Sequence, residues 1–302
     1  MQVQKAENRG AAIAVSSAGA TLRSWKVNGV EIVDGYRSNA EQETLDGFRN
    51  AILAPWSNRI RNGKWQDGEE TREIPKHSAE IERGLHGLFF ARNFDHEEDA
   101  GELRYTAQIA KSDHWPAQMR LEVSYDIKTE NTLRIEMRCT NLSDRSVPVG
   151  LGWHPYFLLD GPLAEARLEV SATHWVNVDG ELIPLPGEAA FRPADTAQPL
   201  SLSDDLDAAL TGIDADGCGW VSARLITGRR EVTIRSQLDP EIGSGNFHLF
   251  SGRGLARDGG RAVAIEPCQY LPDALNRAEI AAKMMLEPGA VRELSIEVAA
   301  KL

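Results

Sequence analysis

The feature that most restricts how this 302-residue chain can fold is an alternation of apolar and polar residues with a period of two, recurring from end to end. A strand points successive side chains to opposite faces, so such a pattern buries one face of a sheet. Met119, Leu121, Val123, Tyr125 and Ile127 alternate with mostly polar neighbours, and after a turn near Glu130-Asn131 so do Leu133, Ile135, Met137 and Cys139. Residues 25–33 read as a hairpin, because Asn28-Gly29 supplies the positive φ angles a tight turn requires. Residues 167–185 around Asp179-Gly180 and residues 224–234 around Thr227-Gly228-Arg229 read the same way. Leu294, Ile296 and Val298 alternate after a Pro288-Gly289 turn. Helical stretches are few and short, at residues 204–210 and 277–285. Many antiparallel strands with little helix predict an all-β fold, a large sandwich or barrel. No linker, low-complexity tract or charge block divides the chain, so residues 1–302 are read as a single domain.

A formal net charge of −12 leaves no basic stripe to neutralise phosphates, which argues against a nucleic-acid or anionic-membrane binder. Cys139, Cys218 and Cys268 are far apart and form no CxxC pair; they are read as reduced thiols rather than a disulfide framework or a zinc site. Residues 1–15 lack the charged-then-apolar pattern of a secretory signal, and no apolar run approaches membrane-spanning length. A cytoplasmic location is expected.

Chemistry is suggested by four stretches. In Gly150-Leu151-Gly152-Trp153-His154-Pro155-Tyr156-Phe157, read as a strand, Val149, Leu151 and Trp153 fall on a core face, and Gly150, Gly152 and His154 on the other. Glycine within a strand often marks the close approach of a ligand or another backbone, and Pro155 should end the pairing at His154. His154 therefore reads either as an acid or base beside cleared space or as a cap on a sandwich edge. Arg261-Ala262-Val263-Ala264-Ile265-Glu266-Pro267 repeats that logic, with small residues on one face, then a carboxylate, then a proline stop. Desolvation should raise the proton affinity of Glu266, so Glu266 and His154 are candidates for a base and an acid, or for a structural ion pair. Gly84-Leu85-His86-Gly87 holds a second histidine between glycines, and Trp56-Ser57-Asn58-Arg59-Ile60-Arg61 offers an amide and guanidinium groups suited to polyol oxygens or to a solvated turn.

Taken in order, Asn58-Arg59-Ile60, Leu85-His86-Gly87-Leu88, His114-Trp115-Pro116, Gly152-Trp153-His154-Pro155-Tyr156-Phe157, Ile265-Glu266-Pro267 and Pro272-Asp273-Ala274-Leu275-Asn276 resemble the aldose 1-epimerase (galactose mutarotase) family over roughly residues 10–300. The resemblance implies an antiparallel β-supersandwich with an open sugar-binding cleft, no cofactor and no metal. It implies Glu266 as general base on the anomeric hydroxyl, His154 as general acid on the ring oxygen, and His86 as a donor to the ring or anomeric oxygen. It makes Asn58, Arg59 and Asp207 ligands of sugar hydroxyls, with Asp204 and Asp205 as neighbouring alternatives to Asp207. His248 stands where relatives often carry a glutamine that touches the sugar, so it is a further substrate-binding candidate or an inward strand histidine without a ligand role. Trp56, Trp153 and Tyr156 could pack on the apolar side of a pyranose or belong to the core.

The expected partner is a small-molecule sugar, bound by a monomer or homodimer. A variant reading has an anionic sugar, a hexose 6-phosphate or sulfonated sugar, held by Arg61 and Arg83. Another has a non-catalytic carbohydrate-binding protein on the same fold. The presence of Glu266, His154 and His86 together favours an enzyme.

Overall fold

The structure, a computed structural model, describes residues 1–78, 81–99, 101–239, 242, 245–257 and 260–302. Among them, two large antiparallel sheets dominate. A nine-stranded sheet runs in the order Leu200–Ser201, Arg167–Val170, Trp220–Thr227, Arg230–Gln237, Val291–Lys301, Thr132–Asn141, Met119–Thr129, Glu102–Ile109 and Asp95–Asp99. An eight-stranded sheet runs Phe191–Pro193, His174–Val176, Asp207–Ile213, Gly245–Phe250, Ala262–Cys268, Gly152–Trp153 and Ile52–Leu53, with Tyr156–Leu158 also paired to Ala262–Cys268. This is the all-β supersandwich expected from the resemblance. The α-helices described are short, Asn39–Thr44 and Ala278–Met284, and no described helix is long and apolar enough to cross a membrane.

The period-two residues form the core. Met119, Leu121, Val123, Tyr125 and Ile127 are buried and their neighbours half-buried, in register with Thr132–Asn141 from Met119↔Asn141 to Ile127↔Leu133. Ile234, Ile296 and Val298 of the larger sheet and Val263 and Ile265 of the smaller belong to one apolar cluster, which draws on residues from Ala6 to Ala300. Strand alternation on both sheets thus feeds a shared interior. The hairpins at Asn28-Gly29, Glu130-Asn131 and Gly228-Arg229 form as expected, and Ala278–Met284 falls within the expected helix.

Several expectations are corrected. Residues 204–210 are not helical; Asp207–Ile213 is a strand flanked by His174–Val176 and Gly245–Phe250, and a ladder on both sides outweighs local propensity. Residues 167–185 are not one hairpin. Arg167–Val170 joins the larger sheet and His174–Val176 the smaller, so the chain changes layer between them. The Asp179 turn closes only a small loop, with Asp179 Oδ1 accepting from Glu181 N and Ile183 N and a bridge between Val178 and Pro184. Pairing pauses at His154-Pro155 and resumes at Tyr156–Leu158 on the same neighbour. Pro267 does not stop its strand: the register passes through Phe247↔Pro267 to Asn246↔Cys268, because a proline costs one donor but keeps an extended chain.

Candidate active site

Asp207, His248 and Glu266 come from adjacent strands of the smaller sheet. The register sets His248 directly opposite Glu266 and Ala209 opposite His248, so Asp207 is the diagonal neighbour. Diagonal side chains can meet when one is long, and His248 Nε2 reaches Asp207 Oδ1 at 2.7 Å. His154 occupies the gap between Gly152–Trp153 and Tyr156–Leu158, both of which pair with the strand that carries Glu266. Its backbone is fixed on both sides, its N–H donating to Ala51 O at 3.0 Å and its carbonyl accepting from Asn50 N at 2.9 Å. His154 Nε2 then lies 3.3 Å from Glu266 Oε1.

The opposite wall is loop. Asn58 and His86 both have left-handed backbones, with φ of 59° and 61°. His86 N donates to Asn58 O at 3.0 Å, and His86 Nδ1 accepts from Asn58 N at 3.2 Å. Nδ1 is thereby an acceptor, so neutral His86 carries its proton on Nε2. Gly87 makes this possible: a Cβ there would lie 2.0 Å from Ala54 O, which accepts from Leu88 N and Phe89 N. Arg59 is steered by Asn58 Oδ1, which accepts from Arg59 N at 2.8 Å, and by Glu82; its Nη2 lies 3.8 Å from Asp207 Oδ2.

Asn58, Arg59, His86, His154, Asp207, His248 and Glu266 all line one cavity of about 210 Å³, whereas Asp204 and Asp205, the alternatives to Asp207, do not. A larger cavity of about 330 Å³ lies beside Tyr270 and Ile280, and its buried Asn246 and Gln269 are already bonded to backbone carbonyls. Phe48, Tyr156 and Phe250 give the smaller cavity aromatic faces; Phe48 and Phe250 carry no signal in the sequence that would have found them. Trp56 and Trp153 are core residues, their indole N–H groups donating to Gly84 O and Asn50 O.

The glycines beside His154 clear space for protein, not for ligand. A Cβ on Gly150 would lie 2.6 Å from the Tyr270 ring, and one on Gly152 would lie 3.0 Å from Ser57 Cβ. Arg61 and Arg83 stand outside the cavity. They line a neighbouring one of about 520 Å³ that shares Arg59, and each is paired, Arg61 with Asp179 and Glu181, Arg83 with Glu73.

Burial pushes the Glu266 carboxyl up to about 7, with the Asp207 charge adding to it and His248 and Arg59 opposing. Burial pulls His154 down to about 3, helped by the charge of His248. It also holds His86 well below the usual histidine range. For His248, burial alone would lower proton affinity, but the hydrogen bond to Asp207 and the charges of Glu266 and Asp207 raise it. Burial opposes ionisation of Asp207 too, yet His248 and Arg59 leave it below its ordinary value. Glu266 Oε2, His154 Nδ1, His248 Nδ1 and Tyr156 Oη are buried without a hydrogen-bond partner in the protein. A polyhydroxylated ligand in the cavity offers such groups partners. Behind them, Tyr156 stacks on His154 at 5.1 Å, and Arg49, paired with Asp34 at 2.6 Å, lies over the far face of Tyr156. Among the described residues, no group of three or more histidine, cysteine, aspartate or glutamate side chains could hold a metal ion.

The all-β supersandwich is one shared with solved structures of aldose epimerase homologues. Residues 2–299 match the aldose 1-epimerase family, and the chain belongs to it. It is 25% identical over 235 residues to YihR of Escherichia coli K12, an uncharacterized protein, covering 74% of this chain and 71% of that one. It is also 25% identical over 225 residues to the aldose 1-epimerase of the same organism, covering 68% of this chain and 64% of that one, just under two thirds of its length. The fold superposes on a GalM/aldose epimerase homologue from C. elegans with a TM-score of 0.84 at 21% identity, covering 99% of this chain and 98% of that one. A galactose 1-epimerase from Lactobacillus acidophilus gives 0.79 at 16% identity, covering 98% and 92%.

Proposed function

We propose that this protein interconverts the α and β anomers of an aldose by opening and reclosing the ring. The observation that carries this reading is the Glu266–His154 pair, buried and in contact at 3.3 Å, with Glu266 Oε2 and His154 Nδ1 left without protein partners. The reactive state is the Glu266 carboxylate beside a protonated His154, an ion pair that burial disfavours. Glu266 removes the proton from the anomeric hydroxyl, the C1–O bond to the ring breaks as the carbonyl forms, and His154 delivers its proton to the ring oxygen. Rotation about C1–C2 and reversal of these transfers give the other anomer. A base titrating near neutrality is matched to this work, and each positioned acid or base contributes on the order of 10²–10⁴ in rate. Nε2 and Oε1 are close enough to pass a proton between them, so the pair resets without an outside donor. His86, with its proton on Nε2, donates to the ring or anomeric oxygen; Asn58, Arg59 and Asp207 bind hydroxyls; Phe250 packs on the ring.

A neutral aldose is favoured over an anionic one, because Arg61 and Arg83 lie outside the cavity and are already paired. The shared core supports a single domain over residues 1–302. The test is anomer exchange, followed by polarimetry or NMR saturation transfer on freshly dissolved single anomers. Glu266→Gln should abolish catalysed exchange while sugar binding survives. A wild-type protein that binds aldoses without accelerating exchange would be a carbohydrate-binding protein, and the enzyme reading would be lost.

A further inference from the structure

The reaction above uses Glu266, His154 and His86 and leaves His248 idle, although it is the most tightly held imidazole of the site. It is enclosed by Asp207 from the strand on one side, Glu266 and His154 from the other, and Arg59 and His86 from the loops opposite. Its Nε2 donates to Asp207 Oδ1 at 2.7 Å, the length of a charge-assisted bond. With Nε2 fixed as a donor, the state of the ring depends on Nδ1. The half-buried carboxylate of Asp207 and the fully buried one of Glu266 flank it, and Arg59 supplies the guanidinium that lines the cavity. A buried charge persists only when balanced, and Arg59, already shared between Glu82 at 3.1 Å and Asp207 at 3.8 Å, is poorly placed to balance Glu266 as well. A proton on His248 Nδ1 closes the balance.

We propose that His248, clasped by Asp207 and set directly across the sheet from Glu266, is a positioning residue that stands as a fixed imidazolium and holds Glu266 in the carboxylate form needed of the base. A glutamine at this place could make hydrogen bonds but could not supply the charge. Asp207 therefore has two tasks, one toward His248 through Oδ1 and one toward Arg59 through Oδ2. The inference rests on Glu266 being the base, and the experiment separates the two.

The measurement is ¹⁵N NMR of the histidine side chains in the ligand-free protein, with kcat/KM for anomer exchange followed against pH in parallel. In the wild type at pH 7, both nitrogens of His248, assigned by their disappearance in His248→Gln, should be protonated, and Asp207→Asn should remove the second proton. In His248→Gln the acid limb of kcat/KM should move to higher pH by about 1 pH unit. A neutral His248 in the wild type overturns the proposal whether or not the variants fold. So does a variant whose KM rises while the limb stays in place, which would make His248 a sugar ligand only. Should the wild type catalyse no exchange, the mutarotase reading fails by itself. The Glu266 carboxyl, titrated by ¹³C NMR in wild type and His248→Gln, then decides: a higher midpoint in the variant upholds the inference and equal midpoints end it.

Discussion

Asn58 and His86 hold each other through two reciprocal contacts, His86 N to Asn58 O at 3.0 Å and Asn58 N to His86 Nδ1 at 3.2 Å. The second contact makes the histidine's tautomer a consequence of backbone geometry. The ¹⁵N spectrum of His86 should accordingly show a protonated Nε2 and a bare Nδ1 at every pH from about 5 to 8, since burial keeps its proton affinity well below the ordinary range. Removing the donor in His86→Ala should lower kcat/KM for anomer exchange by about 10²–10³, the usual cost of one preorganised donor. A His86 that titrates near pH 6.5 would contradict the assignment.

Glu266 links activity to stability with opposite signs. Its carboxyl is raised from 4.5 to about 7 in the folded protein, so the native state binds the proton more tightly than the unfolded chain does. The stability this contributes is full below the unfolded value and is lost as pH rises through about 7. Glu266→Gln, inactive, should therefore be more stable than wild type at pH 8, by on the order of 3 kcal/mol, with the advantage shrinking toward pH 5. Thermal unfolding at the two pH values checks this, and a variant less stable than wild type at pH 8 would refute it.

The same carboxyl sets the pH dependence of the reaction. As a base it works ionised, so kcat/KM should rise with pH and reach half its plateau near about 7, where burial places Glu266. An acid limb centred near the ordinary carboxylate value would assign the base elsewhere.

Gly150 separates packing from binding. Its missing Cβ leaves room for the Tyr270 ring, away from the sugar cavity. Gly150→Ala should lower stability by about 1–3 kcal/mol through overpacking and leave KM unchanged. A raised KM with unaltered stability would return the glycine to the cleft.

Arg49 is the buried cation behind Tyr156, paired with Asp34, which also accepts from Arg257 at 2.9 Å. Arg49→Met strands part of the Asp34 charge in the interior and should cost about 3–5 kcal/mol. Asp34→Asn combined with Arg49→Met should recover part of that loss, and double-mutant unfolding measures it.

Much of the site was legible because its residues sit in short motifs. Each of Asn58-Arg59, Leu85-His86-Gly87, Trp153-His154-Pro155 and Ile265-Glu266-Pro267 carries a polar group inside an otherwise apolar or glycine-rich run, and all four meet at one cavity. Strand alternation likewise gave the core of the larger sheet. What could not be read was set by neighbours distant in sequence. Residues 204–210 look helical alone, but ladders on both sides make Asp207–Ile213 a strand. Gly150 and Gly152 look like cleared space until Tyr270 and Ser57 fill it. Phe48 enters the cavity from a short 3-10 turn, and Arg49 follows it into the interior, with nothing local to announce either.

The two walls of the cavity differ in kind. Asp207, His248 and Glu266 ride on hydrogen-bonded strands, and His154 sits in a gap bracketed by two more, whereas Asn58, Arg59 and His86 come from loops. Glu266 and His154, the proposed base and acid, are thus spaced by the ladder itself, at a pitch the sheet cannot alter without losing its pairing. Asn58, Arg59 and His86 are held instead by loop contacts, such as the reciprocal Asn58–His86 pair, and not by a ladder. A substitution in the loops would therefore reshape one wall of the cavity while the distance between His154 and Glu266 stays set by the sheet.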